Sequence, residues 1–270
     1  MKASYAHYTL HFRQPAGTSR GVLTDKETYF LKLEDEDMPG VFGLGECAVF
    51  RGLSADDVPA YEDKLRELCA NISADKETDL HEFPSIRFGL ETAINDFANG
   101  CRRQPFPSDF TEGMSAIPIN GLVWMGTKEE MLRRIDDKIK AGFTTIKLKV
   151  GAIDTESELD LVRHIRKVFP PEVLTIRLDA NGGFTPDNAL QKLSDFARYG
   201  IHSIEQPIKQ GQWEAMRRIC SESPIDIALD EELIGIHTPE RMGEMLDAVR
   251  PKYIILKPSL IGGFSEIGRA

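Results

Sequence analysis

From Pro118 to the end of the chain, short apolar runs alternate with amphipathic stretches in a strict strand, helix, strand, helix rhythm. The apolar runs predict strands at 118–123, 144–150, 174–179, 202–205, 225–229 and 252–257. Thr127-Lys-Glu-Glu130 is a capping box for a helix that stops at Gly142, Thr155 caps one reaching Phe169, and Thr185-Pro186 opens one that ends at Gly200. Two further helices are expected around 213–220 and 239–249. Alternation of this length specifies a parallel sheet covered by helices, because parallel strands need long right-handed crossovers. Neither a GxGxxG turn nor a Walker A sequence is present, so a closed barrel is favoured over an open nucleotide-binding sheet.

Side-chain parity sharpens that choice, since residues two apart on a strand share a face. Thr145, Lys147 and Lys149 lie opposite Ile146, Leu148 and Val150, and Thr175, Arg177 and Asp179 lie opposite Leu174, Ile176 and Leu178. The same split recurs at 226–230 and 253–257. One face is apolar and meets the helices; the other carries charge toward the C-terminal mouth, where barrels of this kind place their sites.

The front of the chain reads differently. Strands at 5–12 and 28–34 form a hairpin joined by the polar segment 14–21, which is expected to be a loose connection, and a third strand follows at 41–48. Ser54-Ala-Asp-Asp57 is the cap expected for a helix running to Ala70, and a second helix at 85–99 ends at Gly100. Strands first and helices afterwards describe an α+β unit. The Pro-containing passage 105–117 marks the change of rhythm, which divides the chain into domains at 1–112 and 113–270.

Composition narrows the partners. A 41% hydrophobic, 28% charged chain of 270 residues has enough apolar material for a sizeable core. Its net charge of −10, without a long basic run, gives no electrostatic footprint for nucleic acid. No stretch of about 18 consecutive apolar residues offers a membrane span, and the N-terminus lacks a signal-peptide core, so a soluble cytoplasmic protein is expected. Cys47, Cys69, Cys101 and Cys220 show neither CxxC nor Cys/His spacing and read as buried thiols. None of the six histidines has HExxH spacing. The partner expected from the strand-end chemistry that follows is a small-molecule carboxylate, and a homo-oligomer stays open.

The chemistry-bearing residues stand at strand ends: Thr145-Ile-Lys147-Leu-Lys149, Ile176-Arg-Leu-Asp179-Ala-Asn181, Ser203-Ile-Glu205-Gln-Pro207, Ile227-Ala-Leu-Asp230-Glu231 and Ile254-Ile-Leu-Lys257-Pro258. Asp179, Glu205 and Asp230 on neighbouring strands bring three like charges together, which raises their pKa values unless a cation neutralises them. One hard, oxygen-preferring divalent ion such as Mg²⁺ is the natural partner, although strand-end acids also serve as helix caps or in ion pairs. Lys147 and Lys149 share a face, one deeper than the other. Mutual repulsion and the nearby cation are expected to push a lysine toward the neutral amine that a general base requires. Lys257 comes from roughly the opposite wall. Two amines across a metal-bound carboxylate can remove or return a proton at the adjacent carbon, while Mg²⁺ stabilises the resulting enediolate.

This set of strand ends resembles the muconate-lactonizing branch of the enolase superfamily. The resemblance covers nearly the whole chain, since the front half, with Arg87-Phe-Gly-Leu-Glu91 on its last helix, is similar to that family's capping domain. It implies an α/β fold, a TIM-type (β/α) barrel with an N-terminal α+β capping domain. Within the branch, Pro118-Ile-Asn-Gly-Leu-Val-Trp-Met-Gly126 and Gly45-Glu-Cys-Ala-Val-Phe-Arg-Gly-Leu-Ser54 are most similar to o-succinylbenzoate synthases of menaquinone biosynthesis. That family dehydrates 2-succinyl-6-hydroxy-2,4-cyclohexadiene-1-carboxylate. By this resemblance Lys149 matches the base, Lys257 the lysine stabilising the enediolate, and Lys147 the lysine that tunes its neighbour. Asp179, Glu205 and Asp230 match the Mg²⁺ ligands. Asn181 and Arg177 are candidate substrate contacts, Gly262 and Gly263 a candidate close approach to the succinyl tail, Glu231 a candidate partner of the base, and Trp124 a candidate pocket wall.

The sequence ends at Ala270, where the helix after the sixth strand begins. The barrel expected here is therefore incomplete, with strands one to six only, and the expectation is a truncated piece of a longer polypeptide. Dipeptide epimerases and N-succinylamino acid racemases use the same two lysines, a muconate-type cycloisomerase is a more distant option, and an inactive scaffold barrel is the non-enzyme alternative. All six core residues are present, which argues against the scaffold.

Overall fold

Alternating apolar and polar side chains build the first sheet. In the computed structural model, which describes residues 1–18, 21–236 and 238–269, β1 (Lys2–Thr18) pairs antiparallel with β2 (Gly21–Glu34), and β3 (Phe42–Cys47) adds on the other side of β2. Tyr29, Leu31 and Leu33 of β2 are buried, with Phe30, Lys32 and Glu34 on the opposite face. Against the apolar face pack α1 (Tyr61–Ser73), through Tyr61, Leu65 and Leu68, and α2 (Pro84–Ala98), through Ile86 and Ala93.

The helix α2 lies so close to β3 that a methyl group at Gly45 would overlap the Gly89 carbonyl oxygen, and one at Gly43 that of Ala93. Both obstacles are backbone and cannot swing aside. Gly45→Ala is therefore expected to cost about 1–3 kcal/mol, as overpacking generally does. A lowered urea midpoint with an unchanged slope checks this.

Two expectations for the front unit need correction. The segment 14–21 is not a loose loop over the residues described. After an irregularity between His11 and Ala16, pairing resumes at Ala16↔Leu23 and continues to Thr18↔Gly21. Pro15, which has no N–H to donate, falls inside that irregularity, where a ladder tolerates it; Ser19 and Arg20 lie outside the described residues. Ser54–Asp57 does not cap α1, which starts after Pro59 with Ala60 at its N-cap position and no side-chain cap. Instead Asp56 accepts hydrogen bonds from the backbone N and the hydroxyl of Ser85, 2.8 and 2.7 Å, at the start of α2. A capping sequence read locally serves a helix 29 residues away.

The second sheet is parallel, in the order β4 (Gly121–Val123), β5 (Thr145–Lys149), β6 (Thr175–Asp179), β7 (Ile201–Glu205), β8 (Asp226–Leu229), β9 (Tyr253–Ile254). The connecting helices are α3 (Lys128–Lys140), α4 (Thr155–Arg166), α5 (Ala189–Ala197), α6 (Trp213–Glu222) and α7 (Pro239–Val249), with a 3-10 turn at Glu231–Leu233. Ile146, Leu148, Ile176 and Leu178 are buried against Met131, Ile135, Leu161, Val162 and Ile165 of the helices. Lys147 and Lys149 take the other face, as parity requires. Six strands of a (β/α) barrel, with the α+β unit in front, are thus in place.

Several boundaries shift for local reasons. Residues 118–120 do not join the sheet: β4 pairs only at Gly121–Val123, and Pro118 has no N–H for a ladder. Asp154, not Thr155, caps α4, accepting from the backbone N of Ser157 at 2.9 Å. Thr185 and Pro186 belong to a turn in which Asn188 Oδ1 accepts from Thr185 N, and α5 begins only at Ala189. The last strand shrinks to Tyr253–Ile254. By contrast, the capping box at Thr127 forms with both of its bonds, and α3 gives way to Gly142 at φ +84°. Thr127→Ala should lower stability by about 1 kcal/mol, read as a shift in thermal midpoint.

Beyond β9, α8 (Pro258–Ile261) and α9 (Phe264–Arg269) dock on α2. Glu91 accepts from the backbone N of Phe264 and of Ser265, Arg87 pairs with Glu266, and the Phe264 ring lies 5.4 Å from Phe88 and 4.4 Å from Phe106. These contacts fix the α+β unit over the C-terminal ends of the parallel strands. Among the described residues no helix is long and apolar enough to cross a membrane.

Candidate active site

Parallel register sets the site. Lys149 of β5 is paired with Asp179 of β6, and Asp179 with Glu205 of β7, so three strand ends finish level. Asp230 follows β8 directly, and Lys257 follows β9. Lys149 Nζ donates to Asp179 Oδ2 and to Asn181 Oδ1, both at 2.6 Å. Lys147 Nζ reaches Glu205 Oε2 at 2.6 Å and Asp179 Oδ2 at 2.9 Å, and Lys257 Nζ donates to Asp230 Oδ2. Asn181 Nδ2 in turn donates to Glu231 Oε1 at 2.9 Å. Glu231 therefore reaches Lys149 through Asn181.

The charges act on one another across the site. Burial pushes the Glu205 carboxyl up to about 8, with Asp179 and Asp230 adding to the rise against Lys147. Burial also opposes ionisation of Asp179, but Lys149 and Lys147 overcome it and hold that carboxyl below the usual range. For Lys147 the influences on the pKa oppose one another in the metal-free site. Burial alone lowers it, yet Asp179 and Glu205 outweigh burial and raise it, favouring the ammonium.

Lys149, Asn181 and Lys257 open onto one cavity of about 910 Å³. Trp124 lines it, where a core position is the commoner reading for an aromatic after a strand, and its far walls come from the α+β unit through Leu23, Lys26, Phe50 and Arg51. Leu23 and Lys26 escaped the sequence reading because no local signal marks a residue that faces a site more than a hundred positions away, and Phe50 and Arg51 fell inside the segment 45–54 that it singled out without assigning them a role. Lys147 and Glu205 lie deeper, on a second cavity of about 400 Å³ that Arg177 also lines. Arg177 is thus separated from the mouth. Gly262 and Gly263, at φ +118° and +112°, turn the chain between α8 and α9 beside Arg87 and Glu91 and do not line the mouth cavity.

Whether these residues fit a metal ion is a matter of donor chemistry and geometry. The three acids offer only hard oxygens, the preference of Mg²⁺. Asp230 Oδ1 is buried with no hydrogen-bond partner among the described residues, and Glu205 feels both other acids. Each carboxylate is nevertheless turned to a lysine, and among the described residues no three acidic, His or Cys side chains converge as an ion requires. Strand order sets the three acids at neighbouring strand ends, but their side chains do not converge. The donor set fits a small dication by its hard oxygens, with the unpartnered Asp230 Oδ1 left to accept one.

The profile of the family described as Enolase C-terminal domain-like matches residues 130–270. The o-succinylbenzoate synthase of Desulfotalea psychrophila is 42% identical across all of this chain and 81% of its own length. The crystal structure of MenC from the same organism superposes with a TM-score of 0.85 at 38% identity, covering 100% of this chain and 81% of that one. The o-succinylbenzoate synthase of Thermosynechococcus elongatus BP-1, solved with Mg in the active site, gives a TM-score of 0.80 at 25% identity, over 99% of this chain and 79% of its own. The family match over more than half of the chain, together with 42% identity across all of it, places the chain in the enolase superfamily, as a member of the Enolase C-terminal domain-like family.

Proposed function

We propose that this chain catalyses the Mg²⁺-assisted syn-dehydration of 2-succinyl-6-hydroxy-2,4-cyclohexadiene-1-carboxylate to o-succinylbenzoate, a step of menaquinone biosynthesis in the cytoplasm. The observation that carries the reading is the pair Lys149 and Lys257 opening onto one cavity, above carboxylates that end neighbouring strands. In this reading residues 113–270 carry the chemistry and residues 1–112 cover it.

Asp179, Glu205 and Asp230 would hold the ion. Bound there, Mg²⁺ supplies Lewis-acid stabilisation of negative charge on the substrate carboxylate. Lys149, as the amine, takes the proton alpha to that carboxylate, and its contacts to Asp179 and Asn181 stabilise the ammonium that results. Syn geometry puts the leaving hydroxyl on the same face, so Lys149 returns the proton to it. A C–H and a C–O bond break, a ring double bond forms, and water leaves. Lys257 places positive charge near the carboxylate oxygens, and Lys147, held as the ammonium, keeps Asp179 and Glu205 in place. Leu23, Phe50 and Trp124 exclude water from the ring.

Incubating purified protein and Mg²⁺ with the cyclohexadiene acid should produce the ultraviolet absorbance of o-succinylbenzoate. If that signal is absent while dipeptides exchange their alpha hydrogen in D₂O, the reading gives way to an epimerase.

A further inference from the structure

Gln206 follows Glu205 in the chain, is completely buried, and has φ +40°, a region that side chains other than glycine seldom occupy. Every polar atom of its side chain is used. Nε2 donates to Ile208 O and to Glu232 Oε2, both at 3.0 Å. Oε1 accepts from Asp230 N at 3.1 Å and Glu232 N at 3.2 Å. Its backbone is equally engaged: the N donates to Ala228 O at 2.9 Å, and the O accepts from Gly182 N at 2.7 Å. Glu232 completes the staple by accepting from Gly211 N at 2.7 Å.

These bonds join the segments that follow three strands. Gly182 lies three residues past Asp179, Gln206 one past Glu205, and Asp230 is itself a partner. The geometry points to Gln206 as the positioning residue that fixes the mutual placement of the three carboxylates, a role that rests on the metal reading above. It touches neither cavity and acts only through its neighbours. A hydrogen-bonding set in which both donors and both acceptor positions of one amide are filled admits a single orientation of that amide. The backbone of Asp230, from which its carboxylate projects, is held by it.

The test uses two isosteric changes. Gln206→Glu keeps acceptors for Asp230 N and Glu232 N but loses both donors and sets a carboxylate against Glu232. Combining it with Glu232→Gln restores a donor on the other side of the pair. For the single variant, Mg²⁺ affinity measured by calorimetry should fall about 10- to 100-fold, the usual consequence of losing an outer partner of metal ligands. The double variant should recover most of that loss, with circular dichroism and thermal midpoints recorded for all three proteins. Wild-type affinity in the single variant, or no recovery in a folded double variant, overturns the proposal. If the unmutated protein itself binds no Mg²⁺, the metal reading fails instead. Crystal structures of the three proteins then decide the positioning role, which an unmoved Asp230 carboxylate in the single variant would refute.

Discussion

Replacing Lys149 by alanine should lower turnover of the cyclohexadiene acid by about 10²- to 10⁴-fold, the range over which a positioned acid or base contributes. That corresponds to roughly 3–5 kcal/mol of barrier at 1.36 kcal/mol per tenfold. KM should change far less, because the carboxylate-binding groups and the apolar walls stay in place. The fold should survive: Asp179 keeps Lys147 as a partner at 2.9 Å, and the vacated volume opens onto the mouth cavity, where water replaces the lost ammonium. A matching melting curve with turnover lost and no alpha-hydrogen exchange in D₂O assigns Lys149 as the base. Turnover retained within tenfold would move that role to Lys257. Lys147→Ala makes the contrast, since Lys147 lies below the mouth and holds two carboxylates. Its loss should weaken the site through Asp179 and Glu205 rather than remove the proton acceptor.

Glu205→Gln should abolish tight Mg²⁺ binding, with affinity falling on the order of 100-fold as one charged ligand is lost, while the metal-free protein becomes no less stable. The two effects have opposite signs for one reason. In the metal-free fold Glu205 is buried beside Asp179 and Asp230, and together these outweigh its ion pair with Lys147, so the neutral side chain is accommodated more easily than the charged one. A bound dication reverses that preference. Calorimetry with Mg²⁺ and thermal melts in EDTA measure the two halves separately. A marked drop in the EDTA melting temperature would show that the Lys147 pair, not the repulsion, dominates at this position.

Much of the site was legible in the chain itself. Parity on 145–150 and 174–179 separated the buried Ile146, Leu148, Ile176 and Leu178 from Lys147, Lys149 and Asp179, because the side-chain period of a strand is local and independent of its partners. The Thr127 capping box was equally plain, since both of its bonds lie within four residues. Less legible was everything that depends on distant pairing. Asp56 serves a helix 29 residues on, and the hairpin keeps pairing beyond the irregularity after His11.

What the sequence determined by itself is therefore the order of elements, the face each strand turns inward, and the identity of the six charged residues at their ends. Tertiary structure alone decided which of those residues meet. Register aligned Lys149, Asp179 and Glu205, the packing of α2 on α8 and α9 brought Lys26, Phe50 and Arg51 over the mouth, and Arg177 was left in the deeper cavity. The division follows from range. Backbone periodicity is set by a few neighbouring dihedral angles, whereas register, domain docking and the sign of the Lys147 shift depend on charges and surfaces that only the folded chain brings together.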